Sequence, residues 1–459
     1  MTYYVDSQKG DDQWNGTSAK SPWKTLNPVN CTVFSPGDNI LFRAGGVYHG
    51  QLHPLGNGTV QNPISIGRYG DGPNPKIDGG GSHGTQEGNY TEGAAVLFFN
   101  QNYWELSDLD ITNYNPYFKQ GFEYLVGKGG GSGFLPSPNN RYRYGILVRW
   151  DNYGTGRHIY IRNCNIHDIN GEMQRFTAEG ILVVCSGTRG GIPTHFDDLL
   201  LEGNSISNIE RTGISIWSAW AEGRGTDYPG SLSDTNNFYH QTVGAWKGST
   251  NAVIRNNRVC RTAGDAILVN TTIGAIIEKN YVEHCCYEMR IGANAAVWPH
   301  NADGTILQEN EVCFTHGVQD GQAFDIDLSC HNTTIRNNYS HDNEGGFLLL
   351  MNRTWNNEIY GNISENDCNG LIWYHENNGG THIHDNLFYI GMEETQVFRG
   401  PYGSHDWDFV NNTFYCRKPE TEIFWNETPI YRGNNYYNIA NLPNDPDARS
   451  EQPDFVPSR

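Results

Sequence analysis

The sequence predicts an all-β chain: a parallel β-solenoid with an N-terminal cap and two long loop insertions. Three observations predict it. The composition leans to strands and turns, an Asn-anchored hexamer recurs at short intervals, and a second strand-like segment follows each hexamer.

The chain has 459 residues, with 54 Gly, 12% aromatic residues and only 18% charged ones. Few Lys and Glu beside many Asn, Gly, Tyr and Trp favour strands and turns over helices. The net charge of −20 argues against nucleic acid and against an anionic membrane surface, since both require a basic footprint. No run of 18 or more apolar residues is present, so no membrane-spanning helix is expected. The opening "MTYYVDSQKGDD" is strand-like and shows no leader pattern. That fits a cytoplasmic protein, and equally a secreted one whose leader has been removed. The ten Cys include no Cys-x-x-Cys pair, so they are read as buried free thiols, with no spacing that suggests zinc.

The hexamer reads "IRNCNI" (161–166), "LEGNSI" (201–206), "IRNNRV" (254–259), "IEKNYV" (277–282) and "LQENEV" (307–312). It continues as "IRNNYS" (335–340), "IYGNIS" (359–364), "IHDNLF" (383–388) and "FVNNTF" (409–414). Asn takes the fourth place at 204, 257, 280, 310, 338, 362, 386 and 412, and from 257 the steps are 23, 30, 28, 24, 24 and 26. Coils of this length, built of short strands, cannot bury an apolar face singly and must stack. Such an Asn is expected in a turn, tolerating left-handed backbone and bonding its stacked neighbours.

The second segment reads "YGILVRW" (144–150), "EGILVVC" (179–185), "TGISIWS" (212–218), "DAILVNT" (265–271) and "AAVWPHN" (295–301). It goes on as "QAFDIDL" (322–328), "GGFLLLM" (345–351) and "NGLIWYH" (369–375). Stacked coils lie ~4.8 Å apart, so aligning these segments predicts which side chains meet. The outward fourth and sixth places hold Ser215 and Trp217, Leu268 and Asn270, Trp298 and His300, Asp325 and Asp327, Leu348 and Leu350, Ile372 and Tyr374. Glu179, Asp265 and Gln322 share the first place, with Asp320 two residues earlier.

Asp325 and Asp327 therefore face outward among apolar and aromatic neighbours, an arrangement that gives a solenoid no stability. Paired carboxylates in such surroundings acquire unequal proton affinities, which suits them to divide acid and base roles. Their i, i+2 spacing falls between the separations of retaining and inverting glycosidases. Asp325, Asp327, Asp265 and Asp320 are the candidate catalytic residues. Trp217 and Trp298 are expected to form an exposed aromatic platform for a sugar. His300, Glu179, Glu344, Arg353, His375 and Glu376 complete the candidate binding set, and no metal ligand is assigned.

The coil pattern resembles the right-handed parallel β-helix proteins of the pectate-lyase-like superfold, which act on polysaccharides. "YYVDSQKGDDQWNGTSAKSPWKTL" and "GDNILFRAGGVYHG" look like the strand and short capping helix that open those proteins. The resemblance implies a single domain over 1–459. Its cap and first coils cover 1–90, its repeated coils 91–440 and its tail 441–459. The coils are interrupted by aromatic-rich insertions at 113–143 and 218–249, which are expected to wall the carboxylate face into a pocket.

Within that superfold, "DGQAFDID" and "NNYSHDNEGGF" look most like glycoside hydrolase family 141, whose members act on fucosides and xylans. The resemblance implies a glycosidase of plant or microbial polysaccharides or oligosaccharides that needs no cofactor. Two other readings compete. A Ca²⁺-assisted polysaccharide lyase or epimerase could use the acids as a cage, but no Lys occupies the outward places, and Arg149, Arg290 and Arg353 are the nearest cations. A non-catalytic glycan-binding solenoid would explain the Trp residues and leave the acids unexplained.

Overall fold

Alternation of apolar and polar residues within each short segment leaves one face that must be covered, and the chain covers it by stacking coil upon coil. The computed structural model describes residues 1–82, 93–116, 142–171, 178–224, 242–287, 294–317, 320–375, 378–391, 396–400, 406–426, 428–455 and 457. Most of the insertions expected at 113–143 and 218–249 lies outside them, as do Arg290 and Glu376. Strands dominate, and the helix among the described residues is the short segment Asn27–Cys31, opened by Pro28. Contacts divide the chain into two compact units, residues 1–223 with 227–263, and 224–226 with 264–459.

In the first unit each coil contributes strands to three parallel sheets. One sheet carries an unbroken apolar column in register: Ile40, Ile66, Leu106, Ile161, Leu201 and Ile254, all buried. A second sheet runs from Val47–His49 to Arg258–Thr262, and a third comprises Ala94–Phe99, Arg143–Asp151, Ala178–Ser186 and Thr212–Ser218. The second unit repeats the plan. Its first sheet stacks Ile277, Leu307, Ile335, Ile359, Ile383, Phe409 and Tyr431 in one column. Its second sheet runs from Tyr281–Glu283 to Asn435–Tyr437, and its third from Ile267–Asn270 to Phe398–Arg399. Each fully buried aliphatic side chain contributes roughly 1.5–3 kcal/mol, so the stack supplies the main cohesion. Three parallel sheets fed in turn by each coil make the chain a parallel β-helix.

The Asn ladder is structural, as its spacing predicts. In the second unit, Oδ1 of Asn310 accepts both the backbone N–H and the side-chain Nδ2–H of Asn280, each at 3.0 Å. The same pair of bonds links Asn310 to Asn338, Asn338 to Asn362, Asn362 to Asn386 and Asn386 to Asn412. Asn434, the fourth residue of "YRGNNY", extends it one coil further, and Asp445 closes it by accepting from the Asn434 backbone and side chain. The left-handed residue is not the ladder Asn itself but the one before it: Lys279, Glu309, Asn337, Gly361, Asp385, Asn411 and Gly433 all have φ between 52° and 65°. The turn thus frees the Asn side chain to point along the stack. All ten cysteines are free thiols, seven of them buried.

Candidate active site

The third sheet of the second unit carries most of the candidate residues. Phe324 and Ile326 turn inward and stack on Leu348 and Leu350, then on Ile372 and Tyr374, all fully or almost fully buried. The residues between them must face out. Val297 pairs with Phe324, Asp325 with Leu349, Leu349 with Trp373 and Trp373 with Arg399. One outward column therefore runs Leu268, Trp298, Asp325, Leu349, Trp373, Arg399. Backbone bonds from Asp327 to Pro299, Met351 to Ile326 and His375 to Leu350 continue the register past the strand ends. They place Asn270, His300, Asp327, Met351 and His375 in the second column.

This corrects the expected alignment by one residue. Leu348, Leu350, Ile372 and Tyr374 are core residues, and Leu349, Trp373 and His375 take the outward places. The slip arises at Gly345 and Gly346. A Cβ on Gly346 would stand 2.2 Å from the Gly370 carbonyl and one on Gly345 2.2 Å from Gly321, so both glycines mark where successive turns touch. Phe347 follows at once into the core, and a one-residue shift exchanges the two faces of a strand.

The two central carboxylates are nearly enclosed, Asp325 at 5% and Asp327 at 7% exposure. Asp327 Oδ1 accepts the Leu328 amide at 2.7 Å. His300 stands half-buried in the column of Asp327, with Nδ1 bonded to the Asn270 side chain. On the far side, His375 is half-buried, and its pKa is lowered by that burial although the Asp327 charge opposes the shift. It is a neutral imidazole near neutral pH, able to donate or accept one hydrogen bond. Asp320 is half-buried on the turn closed by Gly321, whose amide donates to the Asn294 carbonyl at 2.7 Å. Its carbonyl lies 2.6 Å from where a Gly345 Cβ would be, so only glycine lets that turn approach. Glu344 braces the same turn: Oε2 accepts from the Gly317 amide at 3.2 Å, and Oε1 lies 3.5 Å from His316.

Four of the expected roles change. Asp265 is completely buried, and its Oδ1 accepts from the Ala295 amide and the Trp298 indole, both at 3.2 Å. It acts as an anchor for Trp298, not as a group that meets substrate. Trp298 is only 1% exposed, so it is no open platform; its ring walls the carboxylates instead. In the first unit Trp217 is 9% exposed, and Glu179 is completely buried, accepting from the Ser215 hydroxyl at 2.7 Å. Both belong to the packing of that unit. Arg353 is exposed in a left-handed turn, and Glu376 lies outside the described residues.

The ring that does reach the surface on this face is Trp373, two coils beyond Asp325, half-buried and stacked on His375 with centroids 5.9 Å apart. The Arg399 guanidinium lies over the same ring at 4.5 Å and donates to the Asn369 carbonyl at 3.1 Å. An indole beside an imidazole and a guanidinium, on the strand face that carries the two acids, is a surface of the kind that recognises sugars. The sequence signal was present in "LIWYH" and became legible only with the corrected register.

No protein-family model matches the chain. A lacto-N-biosidase of Bifidobacterium longum subsp. longum is 29% identical over 522 aligned positions, which take in 99% of this chain and 32% of the relative. The chain thus spans about a third of that curated relative's length. Among solved structures, a GH136 lacto-N-biosidase from Eubacterium ramulus superposes with a TM-score of 0.71 at 26% identity, over 88% of this chain and 67% of that one. XylC in complex with xylose gives 0.59 at 14% identity, covering 100% of this chain and 87% of that one, a likeness of fold alone. The likeness in sequence runs to GH136 proteins and lends no support to family 141 or to its fucoside- or xylan-type substrates.

Proposed function

We propose that this chain is the β-helix body of a glycoside hydrolase that acts on oligosaccharides and releases a lacto-N-biose unit. The observation that carries the reading is the 29% identity with a lacto-N-biosidase along 99% of the chain. Glycoside hydrolysis needs one carboxyl group to protonate the leaving oxygen and a second to attack carbon or activate water. Asp327 is the first of these candidates, because His300 adjoins it in one column and its charge is felt by His375 two coils on. With Oδ1 occupied by the Leu328 amide, its chemistry runs through Oδ2. Its partner is Asp325, two residues back on the same face, or Asp320 on the glycine-packed turn. Trp298 and Leu349 exclude water from this pair, which strengthens charge stabilisation in the transition state. Trp373 and His375 hold the sugar.

The test is hydrolysis of nitrophenyl glycosides by the purified chain. Release of nitrophenol from the lacto-N-bioside, and not from the fucoside or xyloside, is the expected result. Turnover of the fucoside or xyloside alone would overturn the substrate assignment. Unsaturated products from uronate-containing glycans would move the protein to the lyase class.

A further inference from the structure

On the second sheet of the second unit, away from the carboxylate face, three different metal-ligating groups converge. Cys313 and His341 are in register on neighbouring strands, and Glu311 precedes Cys313 by two residues on the same strand. The Glu311 carboxylate, the Cys313 thiol and a ring nitrogen of His341 all lie within 4.8 Å of one another. His341 Nδ1 is bonded to Asp342 Oδ2 at 2.9 Å, while Nε2 faces Glu311 Oε1 at 3.5 Å. A carboxylate on one ring nitrogen that leaves the other to a ligand cluster is the usual outer support of a metal-bound histidine.

A His–Asp step of this kind also occurs at His167 with Asp168 and at His384 with Asp385, and there the second nitrogen meets Asp110 or Glu358. Those clamps account for an imidazole between two acids. They do not account for a thiol. The residues in register with His167 are Thr112 and Ser207, and those with His384 are Tyr360 and Val410. Only at His341, among the described residues, does the step stand beside a cysteine in a ligand cluster. The Cys313 column is bounded by Glu283 on one side and, past His341, by Glu365 on the other. That acidic surrounding favours a cation.

We propose that Glu311, Cys313 and His341 bind a zinc-class divalent ion, which ties two consecutive coils together. One sulfur, one nitrogen and one oxygen ligand suit zinc or its cobalt surrogate better than calcium or magnesium. Ligands about 2.0–2.3 Å from a tetrahedral ion stand roughly 3.3–3.6 Å apart, so side-chain rotation alone closes the cluster. Glu311 is 44% and His341 14% exposed, which leaves the ion a path from solvent.

The probe is Co²⁺ added to the chelator-stripped full chain. One equivalent should give a thiolate-to-cobalt charge-transfer band and raise the melting temperature. Cys313→Ser should abolish both, and Asp342→Asn should weaken binding by about 10-fold or more. His341→Gln provides the second test, with circular dichroism confirming its fold. A wild-type chain without the band, or the same band and affinity in folded Cys313→Ser or His341→Gln, would overturn the proposal.

Discussion

Asp327, Asp325 and Asp320 differ in what surrounds them, and that difference fixes what each variant should do. Asp327→Asn should lower kcat on the order of 10²-fold or more, with the melting temperature unchanged, because the Asn amide oxygen can still accept the Leu328 amide. Of the other two, the reacting partner should show a loss of similar size in its Asn variant, and the bystander should keep near-wild-type kcat. Asp265→Asn belongs to a different class. It should leave the proton-transfer limbs of the pH profile in place and raise KM, since it acts through Trp298. Trp373→Ala should raise KM about 10-fold or more without lowering stability, because the ring is only half-buried and its loss opens no cavity. Steady-state kinetics paired with thermal melts separates these outcomes. Asp325 and Asp327 were legible in the sequence because charged residues alternating with Phe324, Ile326 and Leu328 betray a strand face. Trp373 was not, because "LIWYH" is apolar on both faces and shows no phase.

Within the coils, stability depends on polar ladders that water cannot reach. Asn338→Ala removes the acceptor for both the Asn310 backbone and side chain and strips the Leu307 carbonyl of its donor. Buried groups left unpaired cost about 1–3 kcal/mol each, so this single change should lower the melting temperature by many degrees. A second ladder ends on Asp367, which accepts from the Ser340 and Ser364 hydroxyls and from the Asn343 backbone and side chain. Burial outweighs those four donors and pushes the Asp367 pKa up from 3.8 to about 6. The folded chain therefore holds a proton that the unfolded chain releases between about pH 4 and pH 6. Stability from this group is full at the acid end of that window and falls as pH rises through it, by on the order of 2–3 kcal/mol, then stays level. Asp367→Asn should remove that decline, as melting curves across the window would reveal. The Asn ladder was readable because one residue type recurs with the coil period. The face after Gly345 was misphased because "GGFLLLM" offers three successive leucines and no alternation to mark which side is in.

Across the whole chain, the coil plan and the carboxylate face follow from the repeat, and the three-sheet cross-section is added by the structure. The Glu311, Cys313 and His341 cluster was not legible in the repeat, because Cys313 and His341 share a repeat position, three residues after Asn310 and Asn338, but differ in residue type, and only the in-register strands show that they meet. If that ion staples coils and the acids act by proton transfer, EDTA should lower the melting temperature of the zinc-loaded chain while initial rates well below that temperature stay unchanged. Rates that vanish with EDTA and return with Ca²⁺ would instead revive the lyase mechanism. The central claim is that the Asp327 face cleaves a glycosidic bond. The most direct measurement is nitrophenol release from the lacto-N-bioside by the wild-type chain and by Asp327→Asn, with circular dichroism of both. The account predicts steady turnover by the first and a loss on the order of 10²-fold or more in the second at an unchanged fold; equal rates from the two would contradict it.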